Sequence, residues 1–372
     1  MLTRTTTFLK REAVLCIAFI CACASVTITG DVVAIADYVD WRVISLLFCL
    51  TSATAGLSES GAIDRASRAL VAGDRSKRLV CFALVMLPFF VSMLVTNDVA
   101  LLSVVPIAII ALEAAGWRKS IPLVIVLQTI AANLGGMLTP IGNPQNLFIF
   151  TTFGLTTGDF FVALAPFGLL AFVILAACCI AMGKGRARVR IDASAKPFDA
   201  HRFGLHATLF VLSVLAVVRI IPYQVVVGII IVTLAMFDRP VFAKIDYGLL
   251  ATFICFFVFS GSLAHIPTVQ ASLGSLMQSH PMLTALLASQ VISNVPASVL
   301  LAEFTGNWHS LLVGVDLGGL GTPVASLASL IAFRIYLQSR GASSSAFMSR
   351  FVVANVAVLA AMVALYAVLF VA

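Results

Sequence analysis

The sequence predicts an all-α polytopic membrane protein with inverted structural repeats, each holding a re-entrant helical hairpin and an unwound, broken transmembrane helix. Three observations lead there: a composition too apolar for water, apolar segments that break at polar residues and prolines, and a set of break motifs that occurs twice in the same order.

Of 372 residues, 61% are hydrophobic and only 10% are charged, with a mean hydropathy of +1.10. A chain of that balance cannot cover itself with polar surface, so its solvent is a bilayer. The net charge of +7 does not point to nucleic acid, because the basic residues sit in short loops beside apolar segments, where they act as topology signals. The cysteines fall in apolar stretches without a CxxC pair and read as small packing residues. The first segment follows Arg4, Lys10 and Arg11 and contains Ala22-Cys23-Ala24, which a cleaved signal peptide would share. It is expected to stay, since the later segments make a consistent topology only with it in place.

In chain order the apolar segments are Ala13 to Ile28, Trp41 to Leu57, Leu79 to Ala115, Ile121 to Phe153, Phe160 to Met182, Leu205 to Ile221, Gln224 to Phe237, Tyr247 to His265, Pro281 to Glu303, Leu311 to Phe333 and Phe351 to Val371. About nine of these read as spanning segments and two as hairpins. Basic clusters at the N-terminus, at Arg65 to Arg78, Arg118-Lys119, Lys184 to Arg190, Arg239 with Lys244, and Arg334 with Arg340 assign those loops to the cytoplasm, and the loop with Asp31, Asp37 and Asp40 to the outside. The stretch 79–115 begins and ends beside basic clusters and breaks at Thr96-Asn97-Asp98, as a hairpin entering from inside would. The stretch 281–304 lies in a region free of lysine and arginine and breaks at Ser293-Asn294-Val295-Pro296, as a hairpin from outside would.

The broken helices are expected at 120–153 and 310–335. Asn133-Leu134-Gly135-Gly136-Met137-Leu138-Thr139-Pro140 matches Asp316-Leu317-Gly318-Gly319-Leu320-Gly321-Thr322-Pro323, and Thr96-Asn97 matches Ser293-Asn294. A weaker correspondence sets the segment from Gly56 beside that from Gly261. Residues 1–182 then form the first repeat and 222–372 the second. Between them, 183–221 supplies a basic, solvated cytoplasmic linker and a connecting helix that delivers the second repeat to the outer face.

Within hydrocarbon an unpaired backbone N–H or C=O costs several kcal/mol, so helices break only where the freed groups line a cavity or meet protein partners. Helix amide ends suit an anion and carbonyl ends a cation. The breaks therefore locate the expected site: Thr96, Asn97, Asp98, Asn133, Thr139, Pro140, Gly142, Asn143, Asn146, Ser293, Asn294, Asp316, Thr322 and Pro323. Thr96, Asn97 or Asp98, and Asn294 with Pro296, are expected to cap the return arms, and Asn143 before Pro144 to cap the second half of the broken helix. Asp98 is expected to carry a coupling ion or proton, since a carboxylate at a hairpin tip inside the membrane needs one or a partner; Asp316 is the other deep acid. The five histidines are placed at segment ends or in loops and form no metal or protease motif.

The quoted runs, TNDVALLSVVP from Thr96, NLGGMLTPIGNPQN from Asn133, SNVPASVLL from Ser293 and LGGLGTPVASLASL from Leu317, resemble the ion transporter superfamily. That group includes arsenite permeases, sodium–proton antiporters of the NhaD kind, citrate transporters and dicarboxylate symporters; the resemblance is strongest to uncharacterised bacterial anion permeases of the YbiR type. It implies a secondary active transporter of a small anion or oxyanion in the bacterial cytoplasmic membrane, coupled to a proton or sodium gradient through an elevator-type motion. It also implies a homodimer in the lipid bilayer, and a sodium ion held by Thr96, Asn97, Asn143, Ser293 and Asn294. No other cofactor, no enzymatic activity and no nucleic-acid partner is expected. Asp98 and Val295 stand where the dicarboxylate symporters have threonine, which favours aspartate-linked coupling over sodium–dicarboxylate symport. A sodium–proton antiporter or an arsenite or antimonite efflux permease is the alternative within transport, and an intramembrane enzyme or a channel the alternative outside it.

Overall fold

The computed structural model describes residues 13–30, 35–189 and 197–370; Arg4, Lys10, Arg11, Asp31, Arg190 and Lys196 lie outside the described residues. The chain is an all-α polytopic membrane protein. In order it forms α1 (Ala13–Thr29), α2 (Ile35–Tyr38), α3 (Trp41–Glu59), α4 (Ala62–Val71), β1 (Gly73–Ser76), α5 (Lys77–Val91), α6 (Asn97–Ala114), α7 (Ile121–Gly136), α8 (Pro144–Thr152), α9 (Thr157–Ala181), β2 (Arg186–Val189), α10 (Ala200–Val217), α11 (Tyr223–Phe237), α12 (Tyr247–Ala264), α13 (Pro267–Ser279), α14 (Pro281–Ile292), α15 (Asn294–Ala302), α16 (Trp308–Gly318), α17 (Leu327–Leu337) and α18 (Ser344–Phe370).

Among the described residues, 7 helices are long and apolar enough to cross a membrane by themselves. The 7 include α6 and, with the turn before it, α7; α8, the pair α14 with α15, and the pair α16 with α17 are shorter pieces, as expected where one stretch of apolar sequence is divided by a break. Large apolar side chains point outward on α9 (Phe161, Val162, Leu169), on α11 (Val232, Met236) and on α18 (Val353, Val368). In water such faces would drive aggregation; against lipid tails they are at home.

Packing is reciprocal between the two halves. The arm α5 lies on α7 and α14 on α16, while the return arm α6 lies on α17 and α15 on α8, so each return arm packs on the broken helix of the other half. Glycine makes the first contacts possible. A Cβ on Gly135 would fall 2.1 Å from the Phe89 carbonyl oxygen, and one on Gly318 would fall 2.6 Å from Ser289 Cβ and 3.2 Å from Leu286 Cα.

Around this core, α1 packs on α12 and α10 on α3. Here too glycines receive rings. A Cβ on Gly56 would strike the His206 imidazole at 2.0 Å, and one on Gly261 the Tyr38 ring at 2.5 Å. His206 corrects the expectation that every histidine lies at a segment end or in a loop: it is fully buried inside α10, with Nε2 2.9 Å from Asp238 Oδ2. Arg202 donates to both oxygens of the same carboxylate, at 2.7 and 2.9 Å. The polar pattern that placed this residue near a helix end did not register the ion pair that lets it be buried.

The described residues of the linker carry backbone pairings. β2 pairs antiparallel with β1, the Lys77 N–H donates to Gly185 O, and the Asp199 N–H to Ser60 O. Its unpaired backbone groups found partners in the loop that precedes the first hairpin.

Candidate functional site

The first hairpin turns at 92–96, between α5 and α6, and the second turns on the single residue Ser293. Ser293 has φ 73° and ψ 154°, a region that L side chains avoid and that costs roughly 1–3 kcal/mol. Its counterpart Thr96 has an ordinary extended backbone, φ −62° and ψ 149°. The two tips thus share a motif but differ in shape.

The broken helices match more closely. Pro144 opens α8 and forces Asn143 into an extended conformation, φ −140° and ψ 143°. Ser326, before α17, adopts nearly the same angles, −141° and 126°, without a following proline. Thr139 donates its hydroxyl to Met93 O at 2.7 Å, and Thr322 donates to Gln290 O at 3.0 Å. Both acceptors lie three residues before their tip residue, Met93 in the turn of the first hairpin and Gln290 in the first arm of the second, so each Thr-Pro motif fastens a break to its own hairpin.

At the centre is Asn133, at the carbonyl end of α7. Its Oδ1 accepts from Asn97 Nδ2 at 2.8 Å and from Ser326 Oγ at 3.0 Å, while its Nδ2 donates to Gly319 O at 3.3 Å. One buried side chain therefore joins the first tip, its own broken helix and the break of the other half. At the equivalent position, Asp316 Oδ1 accepts from Gln145 Nε2 at 3.1 Å, and its Oδ2 has no partner. At the second tip, the Asn294 N–H and Ser293 Oγ both donate to Ala325 O, at 3.1 and 3.2 Å.

The remaining expected residues divide in two. Asn143 and Asn146 are buried with this group, and Asn146 Nδ2 faces the carbonyls of Gly136, Met137 and Thr139 at 3.2 to 3.4 Å, covering the exposed end of α7. Gly142 is a close backbone approach, because a Cβ there would fall 2.3 Å from Gly136 O and 2.5 Å from Ser92 O. Thr96, Asp98, Thr139, Pro140 and Pro323 are partly exposed and Thr322 is exposed; Thr139 and Thr322 act as fasteners.

The capping expectations change. Thr96, Asn143 and Ser293 hold the positions before α6, α8 and α15 without side-chain cap bonds. The amide of Asn97 is turned to the Asp98 N–H, at 2.9 Å, and to Asn133. These polar groups serve the junction between elements in place of their own helix ends.

Sequence reasoning missed Gln145, Gln290, Ser326 and Ser329, all within or beside the breaks. Gln290 donates to Gly318 O and Leu320 O at 2.8 Å each and accepts from the Thr322 N–H at 2.9 Å. A signal was present: glutamine is rare in such apolar arms, and Gln290 sits three residues before Ser293.

Asn97, Gln145, Asn294 and Ser326 stand in or before the first turns of α6, α8, α15 and α17. Four helix amide ends, each with about half a positive elementary charge, are thereby brought to the carbonyl ends of α7 and α16. Such an arrangement attracts an anion at the amide ends and a cation or proton at the carbonyl ends and the carboxylates. By contrast, a groove of about 410 Å³ between α10 and α11, lined by Leu205, Leu209, Leu212 and Ile229, is largely apolar and contains none of the expected site residues.

Comparison with known proteins adds an independent observation. The profile of a family described as citrate transporter matches residues 5–313. An uncharacterized transporter of Methanocaldococcus jannaschii is 33% identical over 304 residues, which are 80% of this chain and 81% of that protein. The inner membrane protein YbiR of Escherichia coli is 33% identical over 307 residues, 80% of each chain. A 46 kDa membrane protein of Mycobacterium leprae is 22% identical over 339 residues, 80% of this chain and 79% of that one.

Proposed function

From the premise that this chain belongs to the citrate transporter family, and so is a multi-pass membrane transporter and not an enzyme, we propose that it is a secondary active carrier of a small anion or oxyanion. The observation that carries this reading is the buried junction at Asn133, where a hairpin tip and both helix breaks meet and helix amide ends converge. Amide dipoles held at a fixed place bind an anion without a lysine or arginine, whose charge would have to be desolvated with the substrate.

In this reading the carrier works in a cytoplasmic membrane, driven by a proton or sodium gradient. The side-chain oxygens of Thr96 and Asn97 at the first tip, of Asn143 in the first break, and of Ser293 and Asn294 at the second tip are the sodium ligands to test. The motion is of the elevator type, and the hydrogen bonds support it. The bonds described above tie α6 to α8 and α14 to α17 to one another, Gln128 Nε2 of α7 donates to Leu84 O of α5 at 2.8 Å, and α9 and α18 pack against α7. Across to the set formed by α1 to α4 and α10 to α13, the side-chain bonds among the described residues include Ser260 Oγ to Val299 O and Leu300 O at 3.1 and 3.2 Å, Arg219 to Gly154 O at 3.3 Å and Thr284 Oγ1 to Leu276 O at 3.4 Å. An apolar seam with few polar ties is one along which two bodies can slide.

Purified protein in proteoliposomes, with imposed proton or sodium gradients, should accumulate one class within a panel of carboxylates, arsenite and inorganic anions. Exchange of cations with no movement of any solute would overturn the anion reading in favour of a sodium–proton antiporter.

A further inference from the structure

The two halves place different chemistry at one equivalent position. Asn133 is satisfied by neutral partners: two donors on its oxygen and a carbonyl under its nitrogen. Asp316 is 3% exposed, takes one donor from Gln145 on Oδ1, and has Oδ2 buried without a partner among the described residues.

Among the described residues of the elements packed against it, no charge is positioned to compensate it. The elements packed against α16 are α7, α8, α9, α14, α15 and α18. Four of them, α7, α8, α14 and α15, contain no charged residue and no histidine. On α9 the only acid is Asp159, exposed in its first turn and bonded to Thr156, and the other titratable groups are Cys178 and Cys179. On α18 the exposed Arg350 donates to Ala346 O of its own helix, and Tyr366 is bonded to Ser310. On α16 itself, His309 lies two turns away, about 10 Å along the axis, with its ring against Phe370.

An isolated carboxylate inside a membrane protein persists when a proton or a cation answers its charge. A metal ion needs several oxygens aimed at one point, whereas here the group facing Oδ1 is an amide N–H, which donates to the carboxyl and supplies no oxygen to a metal ion. We propose that Asp316 is the proton-binding carboxyl of the carrier, taking up one proton on its carboxylate from one aqueous face and releasing the same proton to the other. This rests on the reading of the chain as a gradient-coupled carrier. It assigns the proton to the buried acid of the second half, with Gln145 of the first half as its positioning residue, and leaves Asp98 as an outer group on the path. Asp98 is only partly buried and electrostatically next to the exposed Asp246.

The test needs no substrate. Dicyclohexylcarbodiimide partitions into membranes and attacks protonated carboxyls, so the reconstituted full chain is treated across a pH series, in sodium or choline buffer, and the modified peptide is identified by mass spectrometry. Modification is expected at Asp316. It should fall about tenfold per pH unit beyond the titration midpoint, persist in Asp98→Asn, and be the same in sodium as in choline. Absence of label on Asp316 at every pH, label confined to Asp98, or protection by sodium at constant pH overturns the proposal. For the coupled reaction, Asp316→Asn should lose accumulation driven by a proton gradient, while retained accumulation overturns the assignment. If wild type moves no solute yet Asp316 labels as described, the proton site stands and the carrier reading fails.

Discussion

Asn97 and Asn133 lie 36 residues apart and are joined by a 2.8 Å hydrogen bond between buried amides, which ties the tip of the first hairpin to the carbonyl end of the first broken helix. The bond also orients Asn133, so that its oxygen is shared with Ser326 and its nitrogen faces Gly319 O.

Asn133→Leu should therefore do more than remove one bond. It strands the Asn97 amide and the Ser326 hydroxyl in a dry interior, and each orphan costs about 1–3 kcal/mol. Thermal unfolding of the detergent-purified variant should show a loss of about 2–6 kcal/mol, with transport reduced more than tenfold.

Gln290→Leu tests the clamp on the second break. Two carbonyls and one N–H lose their partner at once, for a cost of about 2–3 kcal/mol. A cysteine introduced beside Thr322 should react faster with a soluble maleimide in this variant than in the wild-type background, reporting that the break has loosened. An unchanged rate would show that Thr322 Oγ1 alone holds it.

Gly135→Ala and Gly318→Ala should differ in severity, although both glycines belong to the same repeated motif. The added methyl at 135 meets a backbone carbonyl at 2.1 Å, and the one at 318 meets chiefly the Ser289 side chain. Overpacking of this kind costs about 1–3 kcal/mol or more, and the alanine at 135 should lower the unfolding temperature further. Equal losses would show that the second hairpin arm is held as rigidly as the first.

Asp98→Asn separates folding from transport. The carboxylate has a buried oxygen without a partner, and the bond at this turn is made by Asn97 Oδ1 to the Asp98 N–H, which asparagine leaves intact. Stability should stay within about 0.5 kcal/mol of wild type, while gradient-driven uptake falls at least about tenfold. Full uptake would reduce Asp98 to a bystander of the turn.

Much of the architecture could be read without coordinates, because it follows from local physics. Pro144 cannot continue a helix and sets Asn143 extended. Paired glycines in an apolar run mark places where backbones approach. A composition with 10% charged residues leaves no solvent but lipid. The repeated order of motifs located both hairpins and both breaks.

What the chain order could not supply is which polar groups meet. Asn133 and Ser326 are 193 residues apart and Gln145 and Asp316 171, and no local preference names either pairing. His206 was misplaced for the same reason, since its burial depends on Asp238 and Arg202 and on the missing side chain of Gly56.

By itself, then, the sequence determined that this is a membrane-embedded helical protein with doubled helix interruptions, since the cost of burying backbone and charge in hydrocarbon acts residue by residue. Only the tertiary structure decided that the interruptions converge on Asn133 and that Asp316 is left without a countercharge. Both are properties of distance between remote residues, and distance is settled when helices pack, after every local preference has been met.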